Sequence, residues 1–315
     1  MPSHFYFSRQ KVIFVYMKQE MWMVLTLVGL VLGGCRTAQK STPVHRFTLP
    51  KAPATMGREA QIDYLATHYW DHFPFADTAA LVKADTAEMM RRFAQFVALV
   101  GQQPHPSAPM ERLAEQASAH RTTLDYFAFL AQRVLHDPNS PLRSSELYIP
   151  LLEAQLRAPY YNTYERIVPE HDLRLARQNR IGETANDFRF VRRNGEEGTL
   201  HGVEAEHTLI FFSNPACAMC EMLKELLLSS AVIVERITEG RLTLLMLYPD
   251  EDIRAWEREA SAEEGWIDAR DADGKIRRDE LYDLRAIPSI YLLDANKRVL
   301  VKDSTDPREV EAALR

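Results

Sequence analysis

Cysteine, glycine and net charge are all scarce in this sequence of 315 residues, which has three cysteines, 12 glycines and a net charge of −6. Three cysteines cannot form a zinc site of four thiolates. The few glycines form no phosphate-binding loop, and no internal repeat is present. Charges of both signs are mixed along the chain without a basic patch, so we expect no nucleic-acid partner. The composition instead leaves room for a disulfide or dithiol function.

An apolar segment near the start is too short to span a bilayer comfortably. It runs from Met21 to Leu32 and ends in Gly-Gly-Cys35. Small residues before a cysteine, after an apolar run, resemble the bacterial lipoprotein signal. We therefore predict a signal peptide over residues 1–35, lipidation of Cys35 and a flexible tether over 36–50, with translation beginning either at Met1 or at Met17. An uncleaved N-terminal anchor is the alternative.

Either interpretation of this segment puts the protein body outside the cytoplasm, tethered to a membrane. That compartment permits disulfides. We expect a periplasm-facing protein anchored by lipid, with the outer membrane favoured over the inner one.

Residues 51–168 carry apolar residues at helical spacing and predict an all-helical domain. The segment from Met89 to Val100 repeats this spacing after a capping Asp85 or Thr86. Further helices are predicted before Trp70, after Pro109, from about Leu124 to His136 and from about Glu146 to Leu156. His68 and His72, one turn apart, are interpreted as structural because no third metal ligand accompanies them.

The stretch from Thr208 to Glu221 combines an apolar run, a Ser-Asn-Pro turn and Cys217 and Cys220 at C-x-x-C spacing. An amphipathic pattern follows, so the first cysteine stands at the start of a helix and the second lies one turn on. Free N–H groups and the positive end of the helix dipole favour a thiolate at Cys217. The pattern predicts a redox dithiol; half of a zinc site and inert packing are the alternatives.

Residues 169–315 predict an α/β domain. Val168-Pro169 opens a connecting helix, and two short strands flank a turn at Asn194-Gly195. Strands at 208–212 and 242–248 are joined by one helix from Met222 to Thr238, so they should be parallel. A helix beginning near Pro249, a hairpin around Asp294 to Lys297 and a closing helix from Pro307 to Leu314 complete the domain.

Three motifs of this domain together resemble a known family. They are Gly182-x-x-Ala185-x-Asp187-Phe188, Cys217-x-x-Cys220 and Ile287-Pro288-x-Ile290-Tyr-Leu-Leu-Asp294. They resemble thioredoxin-like domains of membrane-anchored periplasmic reductases of the TlpA/ResA group. Residues 51–315 also resemble lipoproteins in which a helical domain of unknown function precedes such a module. The resemblance implies a thioredoxin-like fold, a central mixed β-sheet flanked by helices, after an all-α domain.

The resemblance also implies a role for each matched residue. Cys217 is the exposed attacking cysteine, Cys220 is the buried resolving cysteine, and Pro288 is a cis-proline that faces the dithiol. The backbone of Ile287 would pair with an extended substrate segment. From the residues alone, Ile287-Pro288 predicts only a rigid turn, for which a trans proline is the alternative.

Two departures from thioredoxin concern proton transfer and potential. Phe211 stands where thioredoxin has a buried acid, so the acid/base partner of Cys220 stays unassigned. Met219 between the cysteines adds no charge, and Glu221 would disfavour a nearby thiolate; both favour a reducing couple.

We therefore predict a thiol–disulfide oxidoreductase that acts as a reductant, without cofactor or metal. Its expected partners are extracytoplasmic proteins with disulfides and a membrane thiol reductase as electron donor. A partner-binding lipoprotein with the thioredoxin module as scaffold, and a disulfide oxidase or isomerase, are the alternatives.

Overall fold

The structure, a computed structural model, describes residues 48–103, 106–258 and 265–315. The predicted signal peptide, Cys35 and the greater part of the predicted tether lie outside the described residues. Among the residues described, no helix is both long enough and apolar enough to cross a membrane.

The N-terminal part of the described chain is helical. The residues of the second predicted helix, from Met89 to Val100, are buried along one face as their spacing indicates. Asp85 caps this helix, since its carboxylate accepts hydrogen bonds from the N–H groups of Ala87 and Glu88 at 2.9 and 3.3 Å. The helices are α1 (Arg58–His68), α2 (Thr78–Val82), α3 (Thr86–Val100), α4 (Ser107–Ala117), α5 (Arg121–Ala131, continued by a π-helical turn Gln132–His136), α6 (Ser145–Arg157) and α7 (Thr163–Ala176).

Aromatic rings form the centre of the helical core. Phe127 of α5 is fully buried, and its ring centroid lies 5.0 Å from that of Trp70 and 5.3 Å from that of Phe73, both edge to face. Phe75 and Phe93 lie at 5.7 and 6.4 Å. The aromatic run after α1 is thus an aromatic corner packed on the domain.

Helix α7 begins earlier than the sequence interpretation had it. Val168-Pro169 does not open the helix; Asn162 caps it, with its side chain accepting from Tyr164 and Glu165 N–H while the Glu165 carboxylate accepts from Asn162 N–H. This reciprocal capping box stabilises the helix start, and Pro169 lies inside the helix. Pro169 therefore does not mark the boundary of this helix.

The C-terminal part is built on one sheet. Within the described residues its strands are β1 (Arg189–Arg192), β2 (Glu197–Thr199), β3 (His207–Phe212), β4 (Leu242–Tyr248), β5 (Ile267–Asp271), β6 (Ser289–Asp294) and β7 (Val299–Ser304), in the order β2-β1-β5-β4-β3-β6-β7. The pair β3/β4 is parallel and β6/β7 is an antiparallel hairpin, as predicted. The sheet is therefore mixed and flanked by helices, which confirms the predicted fold class.

The connection from β3 to β4 holds two helices where one was predicted. Helix α8 (Ala218–Ser229) ends at Ser230, whose extended backbone and hydroxyl cap the next helix, α9 (Ala231–Thr238). The Ser229-Ser230 pair supplies this break, because serine side chains favour caps over helix interiors. The remaining helices are α10 (Ile253–Arg258), α11 (Lys275–Arg278) and the predicted closing helix α12 (Pro307–Leu314).

Each face of the sheet has its own apolar cluster. The cluster under α8 and α12 contains Phe211, Ile290 and Leu314. The cluster on the opposite face contains Phe212, Tyr291 and the residues that pack on them. Successive residues of one strand therefore belong to different faces, as strand geometry requires.

Candidate functional site

The two cysteines lie at the edge of the sheet where β3 ends. After Phe212 the chain turns through Ser213-Asn-Pro, and Ala216 adopts a left-handed backbone with φ of 56°. Cys217 is then the N-cap of α8, and a disulfide joins it to Cys220 with the Cα atoms 5.2 Å apart. The structure thus brings together the two cysteines in the position that the sequence predicted.

The two sulfurs differ in exposure. Cys220 is 1% exposed, whereas Cys217 is only partly buried. A molecule that approaches from solvent therefore meets Cys217 first, and Cys220 is reached only through it.

The local backbone favours negative charge on Cys217. Its Sγ accepts a hydrogen bond from the N–H of Cys220 at 3.2 Å, as an N-cap side chain does. In the reduced protein this N–H and the N-terminal end of the α8 dipole would stabilise a thiolate over a thiol. The role of Cys217 as the nucleophile of the pair stays a prediction.

Pro288 lies at the same edge of the sheet. The pairing of Phe212 with Ser289 puts the residue before β6 beside the segment that leaves β3. The Ile287–Pro288 peptide bond is cis, which confirms that prediction, and Ile287 packs on the cluster that holds both cysteines. The contact of Ile287 and Pro288 with a substrate stays a prediction.

The surroundings of Cys220 are apolar on the strand side. Phe211 is fully buried in the same cluster as Cys220, so β3 supplies no carboxylate there. Glu221 points its carboxylate toward Lys224, with Oε2 3.4 Å from Nζ. The effect of Glu221 on the thiolate stays a prediction. Met219 is 56% exposed between the cysteines.

A polar cavity of about 130 Å³ adjoins the first turn of α8. The sequence did not indicate its wall opposite α8, which contains Arg193, Trp256 and Asp268. The carboxylate of Asp268 on β5 accepts a hydrogen bond from Trp256 Nε1 at 3.0 Å and contacts the guanidinium of Arg193. Glu221 and Lys224 line the near wall. Strand β5 was not predicted because it is short and rich in charge; the alternation in Trp266 to Asp271 was the available signal.

A second buried carboxylate, Asp303 on β7, lies on the other face of the sheet. It accepts a hydrogen bond from Ser289 Oγ at 2.8 Å, and Ser289 alternates with Ile290, which packs on the side of Cys220. Asp303 therefore does not lie behind Cys220 and is not its proton acceptor. Burial raises the pKa of the Asp303 carboxyl to about 6, although Arg143 opposes the rise.

This raised pKa predicts a pH-dependent loss of stability. Below the unfolded-state pKa of 3.8 the carboxyl is protonated in both the folded and the unfolded protein, and its full contribution to the free energy of unfolding is present. This contribution is lost as the pH rises from there through the folded-state pKa of about 6. Relative to the wild type, Asp303→Asn should gain at most about 3 kcal/mol in free energy of unfolding between pH 4 and pH 7. The charged or polar groups that interact with Asp303 are Arg143, Arg285, Lys302, Asp283, Ser289 and Tyr291.

Urea unfolding of both proteins at pH 4 and at pH 7 measures this difference. The contributions of the other titrating groups are common to both proteins and cancel in it. Glu309→Gln, which removes an exposed carboxylate from α12, is the control and should leave the pH profile in place. Parallel profiles for Asp303→Asn and the wild type would contradict the assignment.

The fold and the dithiol define a thioredoxin-like protein, and comparisons with known proteins agree. Residues 34–179 match the family described as Domain of unknown function (DUF5106). A crystal structure of a thioredoxin-like protein from Bacteroides caccae ATCC 43185 matches with a TM-score of 0.80 at 32% sequence identity, covering 85% of this chain and 98% of that one. Because of this identity over nearly the whole of that protein, the chain belongs to the same family of thioredoxin-like proteins.

Shorter structures match less than half of the chain. The C-terminal domain of an uncharacterized protein from Bacteroides fragilis NCTC 9343 is 39% identical, with a TM-score of 0.41 over 43% of this chain and 97% of that one. A putative thiol-disulfide oxidoreductase from Bacteroides vulgatus is 14% identical, with a TM-score of 0.37 over 43% and 95%. No curated protein matches this chain.

Proposed function

We propose that this protein is a membrane-tethered extracytoplasmic thiol–disulfide oxidoreductase that works as a reductant. The observation that carries the proposal is the Cys217–Cys220 disulfide at the start of α8. Cys217 is only partly buried, Cys220 is 1% exposed, and the Ile287–Pro288 turn enters β6 at the same edge of the sheet. An inert structural disulfide has no need of this asymmetry.

The proposed reaction is a two-step exchange. The Cys217 thiolate attacks one sulfur of a substrate disulfide, forming a mixed disulfide and releasing one substrate thiolate. Cys220 then loses its proton and attacks Cys217 Sγ, which releases the second substrate thiolate and closes the Cys217–Cys220 disulfide. The substrate gains two electrons and the dithiol loses two. A membrane thiol reductase returns the protein to the dithiol state.

The proton of Cys220 needs an acceptor, and the polar cavity beside α8 is the candidate place for it. Glu221 follows Cys220 directly and lines this cavity with Asp268. Phe211 leaves the strand side of Cys220 without a carboxylate. Neither cysteine is among the residues that line this cavity, so the acid/base partner of Cys220 stays unassigned.

The reducing direction rests on the residues near the sulfurs. Met219 places no positive charge beside the Cys217 thiolate, and a thiolate without extra stabilisation makes a weaker oxidant. The expected substrates are extracytoplasmic proteins with disulfides, which would lay an extended segment along Ile287 and Pro288. Lipidation of Cys35 would hold the protein on the outer membrane, facing the periplasm.

The equilibrium reduction potential of the Cys217–Cys220 pair tests the direction of electron flow. We expect a value near or below about −250 mV, close to that of thioredoxin. Titration of the full-length protein in dithiothreitol buffers, with thiol alkylation read by mass, gives this value, and Cys220→Ser is the control that cannot close the disulfide. A value of about −120 to −180 mV would assign the protein to the oxidases and isomerases instead. If no disulfide forms, a partner-binding lipoprotein with a thioredoxin scaffold remains.

A further inference from the structure

We propose that the helical region holds the Ile287–Pro288 turn in place, through two polar links from the loop that follows α5, and so is a positioning part of the dithiol site. The kinetic part of this inference rests on the proposed exchange function. The family match gives the helical region no role, whereas the contacts described below connect it to both flanks of Pro288.

The first link reaches the residue after Pro288. Ser289 is fully buried, and its hydroxyl donates to Asp303 Oδ1 at 2.8 Å. The same Oδ1 accepts from Arg143 Nη2 of the helical region at 3.1 Å, and this nitrogen also donates to the Asp303 main-chain carbonyl. The side chains of Arg143 and Asp303 are 12% and 8% exposed. This contact is shielded from water, and it is charge-assisted at a pH above the Asp303 pKa of about 6.

The second link reaches the segment before Pro288. The Arg285 guanidinium donates from Nη1 to the main-chain carbonyl of His136 at 2.8 Å. Its other nitrogens donate to the Asp283 carboxylate at 2.7 to 3.0 Å, which fixes the direction of the side chain. His136 ends the π-helical turn after α5. The turn with Pro288 is therefore connected on both sides to the helical region.

Both links begin in one closed loop. The N–H of Ser144 donates to the Leu135 carbonyl at 3.0 Å, which joins the two ends of residues 136–143. Inside the loop, Ser140 Oγ donates to the Val134 carbonyl at 2.5 Å and Arg143 Nη1 to the Pro138 carbonyl at 3.4 Å. These hydrogen bonds make the loop rigid. Its contacts with Asp303 and Arg285 therefore hold the two flanks of Pro288 at a fixed distance from each other.

One ion pair between the two regions lies apart from these links. The guanidinium of Arg174 on α7 pairs with Glu280, and no hydrogen bond between either residue and the segment 285–289 or Asp303 is seen in the described part of the chain. Arg174 therefore provides a matched control: an arginine of the helical region in an ion pair across the same boundary, without a link to Pro288.

Hydrogen–deuterium exchange of the full-length protein tests the positioning directly, without reference to activity. In Arg143→Ala we expect the amides of Ser289 and Ile290, which lie in β6, to exchange at least about tenfold faster than in the wild type. Arg143→Lys, with one donor group in place of the planar fork, should restore part of the protection. Ser289→Ala cuts the same link from the sheet side and should act in the same direction. Arg174→Ala should leave these amides unchanged.

Enzyme kinetics then distinguish a helical region that positions the turn from one that is only attached to the sheet region. With insulin as a polypeptide disulfide, Arg143→Ala should raise KM by about tenfold with a smaller change in kcat, because the turn is where an extended substrate would pair. With dithiobis(nitrobenzoic acid), which is too small to pair along the turn, the rate should stay that of the wild type. Arg174→Ala should match the wild type on both substrates.

Two results would overturn the inference: equal amide exchange in Arg143→Ala and Arg174→Ala, or unchanged protection in Ser289→Ala. If Arg143→Ala does not fold, Ser289→Ala and Arg143→Lys decide the question. If the wild type reduces neither disulfide, the proposed function fails, while the amide exchange still decides whether the helical region positions the turn.

Discussion

Replacing Cys217 by serine should reduce disulfide exchange to the rate of the solution without protein, because the hydroxyl of serine is not ionised at neutral pH and does not attack a disulfide. Cys220→Ser should behave differently, since its Cys217 thiolate still attacks but no second sulfur resolves the product. This variant should therefore accumulate mixed disulfides with its substrates. Insulin reduction and non-reducing gels of cell extracts measure the two effects.

Cys35→Ser is the matched control for both variants, because it makes the same substitution at the remaining one of the three cysteines. It should keep the wild-type exchange rate in the soluble assay and form no trapped adducts. Residual turnover in Cys217→Ser, or adducts that form equally well in Cys217→Ser and Cys220→Ser, would show that the exposed sulfur is not the nucleophile.

Replacing Phe127 by alanine should cost about 3 to 5 kcal/mol in free energy of unfolding of the helical region. The ring is fully buried and makes edge-to-face contacts with Trp70 and Phe73, so its removal leaves a cavity among rigid neighbours that cannot close it. Urea unfolding followed by tryptophan fluorescence reports this loss, since Trp70 touches the altered site.

Phe129→Ala provides the comparison within the same helix. Phe129 lies two positions further along α5 and is 43% exposed, so its removal should cost under about 1 kcal/mol. If the two alanine variants were equally stable, the aromatic cluster would not be the centre of the helical core.

The sequence predicted the site where local patterns carry the information. The apolar run of β3, the turn and the spacing of Cys217 and Cys220 are all contained in a short segment. The cis bond at Pro288 was expected from resemblance alone, because Ile287-Pro288 by itself permits either isomer. The fold class followed from the same motifs.

What the sequence did not predict depends on contacts between distant residues. Asp303 looks like an ordinary polar residue near the end of a strand, and its burial follows from Arg143, which lies 160 positions away in the chain. Asp268 was missed with β5, whose charged residues conceal the strand pattern. The early start of α7 is the exception: the Asn162 capping box is local, and Pro169 drew attention away from it.

The division of the buried apolar residues into separate clusters has a consequence for how the two regions come apart. The helical cluster and the two sheet clusters share no residue, whereas charged and main-chain groups such as Arg143, Arg285 and Lys302 make hydrogen bonds between the regions. Separation at this boundary would rehydrate these polar groups without dividing any one of the three clusters. Opening at this boundary would therefore leave the packing inside each of the three clusters as it is in the closed protein.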